Sequence, residues 1–152
     1  ALRDFLILFV LVFIFIYDLK YMEVLDRMTL LPALVFFIWT LFLSPDSWSS
    51  MLLGALLGAG FFLLQFVLSK GRWVGGGDIR IGFLMGIILG WKLLILALWI
   101  AYVVGAIISV LLVLKKKKKM KSQVPFGVFL TVATFVVMFW GGGILEWYVG
   151  LF

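Results

Sequence analysis

The chain has 152 residues, of which 66% are hydrophobic and only 13% charged, about half the charged share of an ordinary soluble domain. Its 13 Lys and Arg outnumber 7 Asp and Glu, for a net charge of +6, and it contains neither Cys nor His. This excludes disulfides and thiolate metal sites. It also removes the usual near-neutral acid/base, so proton chemistry falls to the carboxylates.

Apolar runs separated by short polar breaks predict an all-α integral membrane protein, a bundle of about six transmembrane helices in a single domain over 1–152. In chain order the predicted helices are Leu2–Tyr21, Thr29–Leu43, Met51–Leu68, Asp78–Leu89, Leu93–Leu114 and Pro125–Leu145. Ser44-Pro45-Asp46-Ser47 reads as the turn between the second and third. Gly90, Trp91 and Lys92 read as a short turn between the fourth and fifth.

Eleven of the 13 basic residues fall in alternate breaks: Lys20 and Arg27, then Lys70, Arg72 and Arg80, then Lys115–Lys119 and Lys121. Arg3 and Lys92 are left on the other side. The positive-inside tendency makes the first set cytoplasmic and puts both termini outside. The run from Lys115 to Lys121 is expected to set topology and touch anionic lipid, not nucleic acid. Trp39, Trp48, Trp91, Trp140 and Trp147 lie near the predicted outer helix ends, as an aromatic belt would.

Two acidic residues stand apart. Asp18 follows thirteen uninterrupted apolar residues, Phe5 to Tyr17. Such a run covers nearly two-thirds of a core about 30 Å thick, so Asp18 should lie at the inner end of the first helix. The plainer reading is an interfacial charge beside Lys20. Asp78 follows Gly75-Gly76-Gly77, three glycines that permit positive φ and close backbone approach. It is placed as an N-cap or first-turn residue, and the plainer reading stops there.

Gly82, Gly86 and Gly90 follow Asp78 at intervals of four, on one helix ridge that admits a close neighbour. Gly54 and Gly58 mark another packing face. An ionisable residue beside such a contact is costly and usually functional. Two carboxylates on one membrane face, without His or Cys, suggest acid/base hydrolysis by a pair sharing one proton. Their spacing leaves open whether they meet.

Three motifs in order resemble the type IV prepilin peptidase family. The first is Asp18-Leu19-Lys20-Tyr21-Met22-Glu23-Val24-Leu25-Asp26-Arg27-Met28-Thr29, similar to the family's catalytic aspartate with a later aspartate and threonine. The second, Gly75-Gly76-Gly77-Asp78-Ile79-Arg80-Ile81, is similar to G-x-G-D-x-K-L. The third, Val124-Pro125-Phe126-Gly127-Val128-Phe129-Leu130, is similar to I-P-F-G-P-F-L. Leu25 stands where proline is usual, and Arg80 where lysine is.

The resemblance implies an intramembrane aspartyl protease of a bacterial or archaeal cytoplasmic membrane. Its substrates would be prepilins and pseudopilins, which lose a basic leader after a glycine at the cytoplasmic face. The family's catalytic aspartates map onto Asp18 and Asp78. Gly75, Gly77, Asp26, Arg80, Pro125, Phe126 and Gly127 map onto motif positions that shape the site, and no cofactor or metal is implied. Many bacterial members carry an earlier Cys-rich domain that binds zinc and methylates the new N-terminus. This sequence has no Cys, so no methyltransferase activity is expected of it. Its first residue, Ala1, and the outside N-terminus favour the C-terminal part of a longer protein over a short member. The glycine-aspartate motif is also similar to presenilins and signal peptide peptidases, but Pro125-Phe126-Gly127 favours the prepilin side over their P-A-L. A small transporter or channel with intramembrane carboxylates is the competing class, and a secretion-complex scaffold a third.

Overall fold

The computed structural model describes residues 2–21, 26–71, 75–115 and 126–151. These residues are helical, with no strand among them. The order is α1 (Leu2–Tyr21), α2 (Asp26–Leu43), a 3-10 turn (Pro45–Ser47), α3 (Trp48–Ser69), α4 (Gly76–Leu114) and α5 (Phe126–Gly150). Four stretches are long and apolar enough to cross a membrane: Asp26–Leu43, Pro45–Ser69, Gly76–Leu114 and Phe126–Gly150. The sequence predicts about six. The difference has two causes: α1 carries Arg3, Asp4, Asp18 and Lys20, and the predicted fourth and fifth helices form one element.

Local chemistry sets the breaks. Pro45 opens the 3-10 turn, where the Ser47 N–H donates to the Ser44 carbonyl at 3.1 Å. Helix α3 ends on Lys70 in the left-handed region (φ 54°), followed by Gly71 at φ 77°. The Gly71 N–H returns to the Phe66 carbonyl at 2.8 Å, which satisfies a carbonyl that a bare helix end would leave open.

The glycines of α3 and α4 pack against one another. A Cβ added at Gly82 would lie 2.6 Å from the Gly58 carbonyl oxygen, and one at Gly54 would lie 2.7 Å from the Gly86 oxygen. Backbone thus meets backbone, the contact that small residues permit between membrane helices. The two faces read separately in the sequence are the two sides of one interface.

Helix α4 does not run straight. Gly90 has φ 75° and ψ 172°, outside helical space. A Cβ at Gly58 would meet both the Gly82 carbonyl carbon, at 2.7 Å, and Leu94 Cδ2, at 3.3 Å. In a straight helix Gly82 and Leu94 would be about 18 Å apart along the axis. The chain therefore folds back at Gly90, and residues 76–89 and 91–114 both lie along α3. The turn is a single residue, tighter than the expected Gly90, Trp91 and Lys92.

The core gathers Ile7, Leu11 and Ile14 of α1, Phe36 of α2, Phe62 of α3, Ile81, Leu84 and Met85 of α4, and Leu130 and Val137 of α5. Outward faces remain apolar, as Phe9 at 66% and Phe42 at 84% exposure show, which suits lipid and not water as the surrounding medium.

Candidate active site

Asp18 ends the buried stripe of α1. Ile7, Leu11, Ile14 and Asp18 recur at helical spacing, so the carboxyl points into the protein with 5% of its surface exposed. A carboxylate buried there needs donors, and the start of α5 supplies them. The first N–H groups of a helix have no intrahelical partner and carry its positive dipole end. The Val128 N–H donates to Asp18 Oδ2 at 3.0 Å. Gly127 itself lies against this carboxyl.

Gly127 is required by space. A Cβ on it would lie 2.6 Å from Asp18 Oδ2 and 2.9 Å from Ile81 Cδ1. Phe126 anchors the same turn by its ring, 4.9 Å from Tyr102 and 6.4 Å from Phe62. Pro125, expected to shape the site, lies outside the described residues, as do residues 22–25 and most of the lysine run.

Asp78 sits in the first turn of α4, 9% exposed. Its Oδ2 accepts from the Gly75 N–H at 3.3 Å, and its own N–H donates to the Gly75 carbonyl at 3.1 Å. This reciprocal pair caps the helix. The freedom of these three glycines to take positive φ is not used here. Gly75 is extended (φ −84°, ψ 162°), and Gly76 and Gly77 already belong to α4. Among the described residues nothing stands within 4 Å of a Cβ placed on Gly75 or Gly76, so this entry is open.

The aspartates converge. Gly127 touches Asp18 on one side and Ile81, one turn beyond Asp78, on the other. Three helix ends thus meet at two buried carboxyls. Asp26 and Arg80 lie at the rim as an exposed ion pair between α2 and α4. The Thr29 hydroxyl donates to the Asp26 carbonyl at 3.3 Å, steadying the start of α2.

Sequence reading passed over Gln65 and Tyr102. The Tyr102 hydroxyl donates to Gln65 Oε1 at 2.9 Å, and its ring borders Phe61 at 5.8 Å as well as Phe126. The available signal was a lone amide and a lone phenol inside long apolar runs.

Fold and site together define a helical protein with membrane-length apolar helices and two buried carboxyls at the meeting of three helix ends. A family model described as the type IV leader peptidase family matches residues 5–110, and the chain belongs to that family. It is 35% identical over 98 residues to a prepilin leader peptidase/N-methyltransferase of Legionella pneumophila, covering 64% of this chain and 34% of that protein. It is 29% identical to the protein of that name in Bacillus subtilis over 140 residues, 91% of this chain and 56% of the relative. With the Aeromonas hydrophila protein the match is 29% over 155 residues, 98% of this chain and 53% of the relative. The chain thus spans from about a third to just over half the length of these relatives. No solved structure matches it.

Proposed function

We infer that this chain is an aspartyl endopeptidase of the cytoplasmic membrane, acting on type IV prepilins or pseudopilins. It removes their basic leader after a glycine, at the cytoplasmic face. The observation that carries this reading is the convergence of Asp18 and Asp78, two buried carboxyls at the meeting of three helix ends. Membership in the leader peptidase family supports the substrate class. Eleven of 13 basic residues in alternate breaks support the inner-face placement. With α1 and the two arms of α4 each crossing once, the bundle makes six crossings, and Lys115–Lys121 meets anionic lipid.

Two close carboxyls do not both ionise readily, so they hold one proton between them. The ionised member takes a proton from a water molecule as the water oxygen bonds to the scissile carbonyl carbon. The protonated member gives its proton to the carbonyl oxygen. The member that took the proton from water then gives it to the amide nitrogen as the C–N bond breaks, and the other member recovers a proton from a hydroxyl of the tetrahedral diol, which leaves as the new carboxyl, so the pair again holds one proton. The α5 N–H groups hold Asp18 in place throughout, and the open glycine entry lets an extended peptide reach both groups.

Incubation of the purified protein with a peptide carrying a basic leader, a glycine and an apolar helix tests this reading. A single cut after the glycine is expected. An intact peptide under conditions in which the protein stays folded would overturn it.

A further inference from the structure

Hydrolysis at a membrane face raises a problem that the two aspartates do not solve. A peptide bond within a helix must be unwound before water can attack it, and each backbone group thereby released into lipid costs several kcal/mol unless it finds a partner. The protein therefore needs polar groups beyond its carboxyls, placed deeper along the substrate's path.

Gln65 and Tyr102 stand at such a depth. Gln65 lies four residues before Ser69, the last residue of α3. That puts it about 6 Å below the helix end. It is half-buried, between the outward-facing Leu64 and the packed Phe62, at the border of protein and lipid. The Tyr102 hydroxyl holds its amide oxygen at 2.9 Å. The Tyr102 ring contacts Phe126, which adjoins Gly127 beside Asp18. The pair thus stands one aromatic ring beyond the carboxylate site, outside its immediate wall. Plain packing would be served by Leu and Phe. A polar pair kept at lipid depth is costly and usually functional.

We propose that Gln65, oriented by Tyr102, binds the unwound backbone of the substrate just beyond the scissile bond. A carboxamide both donates and accepts, matching a peptide group. With its oxygen held by Tyr102, its two N–H donors face an incoming carbonyl. The proposal rests on the proteolytic reading above.

The test compares Gln65→Leu and Tyr102→Phe with the unaltered protein on two peptides. One carries the leader and the full apolar helix; the other ends just past the scissile bond, too short to reach Gln65. For the long peptide each variant should lower kcat/KM about 10-fold, the worth of one or two hydrogen bonds in a desolvated site. For the short peptide the variants should match the unaltered protein within about 2-fold, on the same scale. Equal losses on both peptides would mean that the pair only supports the fold or the aspartates, and would overturn the proposal. Full activity on both would overturn it as well. Failure of the unaltered protein to cut either peptide would instead strike the proteolytic reading itself.

Discussion

Replacing Gly127 by Ala should disable the site with little change to the fold. The added Cβ would lie 2.6 Å from Asp18 Oδ2 and 2.9 Å from Ile81 Cδ1. Ordinary contact needs about 3.4 Å or more, so the carboxyl must retreat by close to 1 Å. The Val128 N–H, now at 3.0 Å, would then lose its hold on Oδ2. A hydrogen bond to a charged group contributes about 1.5–3 kcal/mol, and a displacement of about 1 Å in a reacting group costs about 100-fold in rate. The expected result is a fall of about 100-fold in the rate of leader cleavage, with thermal unfolding in detergent lowered by only a few degrees. Ile81→Ala should not rescue the variant, because the oxygen contact is the shorter of the two. Added to Asp18→Asn, Gly127→Ala should cost no further activity. A Gly127→Ala protein that cleaves at the normal rate would refute the claim that this glycine exists to admit the carboxyl.

Gly86→Leu should lower both activity and stability, because a Cβ at this position already overlaps the Gly54 backbone; a fully active, equally stable variant would refute the α3–α4 contact. Gly90→Ala should destabilise by about 1–3 kcal/mol in chemical unfolding, since φ 75° is unfavourable for a residue with a side chain and Ser50 Oγ lies 2.6 Å from the added carbon. Unchanged unfolding would mean that the sharp reversal is absent. A cysteine introduced at Ser47 should react with a membrane-impermeant thiol reagent in intact cells, and one at Ser122 only after the inner face is opened. The reverse pattern would invert the orientation.

The parts of the account that were legible in the sequence are those carried by local pattern. Apolar runs locate the helices, and the four-residue spacing of Gly82 and Gly86 announces a ridge. The end of the Phe5–Tyr17 run marks Asp18 as a charge near lipid depth. What the ridge packs against is a property of the assembled bundle, so Gly54 and Gly58 were visible as a face but not as its partner. The same limit applied to Asp18 and Asp78, which lie sixty residues apart and are joined through the first turn of α5. Gly75–Gly77 left the backbone undecided for a physical reason: a glycine run permits positive φ without requiring it, and here the helix begins within the run. Among the described residues the positive φ angles fall at Lys70, Gly71 and Gly90. Gly90 also turns the chain alone, where a turn of Gly90, Trp91 and Lys92 was expected. Gln65 and Tyr102 escaped notice because a single polar residue in an apolar run has no periodicity; only their mutual hydrogen bond reveals them.

The most direct test of the central claim is the rate of leader cleavage by Asp18→Asn, Asp78→Asn and the double variant, measured beside substrate binding and across pH. Asn keeps the shape of each side chain and removes its proton exchange. Each single change should abolish cleavage while substrate still binds, and the double change should cost no more than either, as for groups acting as one unit. The unaltered protein should lose rate at both pH extremes, because only the pair holding a single proton is competent. Substantial cleavage by either single variant would contradict the aspartyl mechanism.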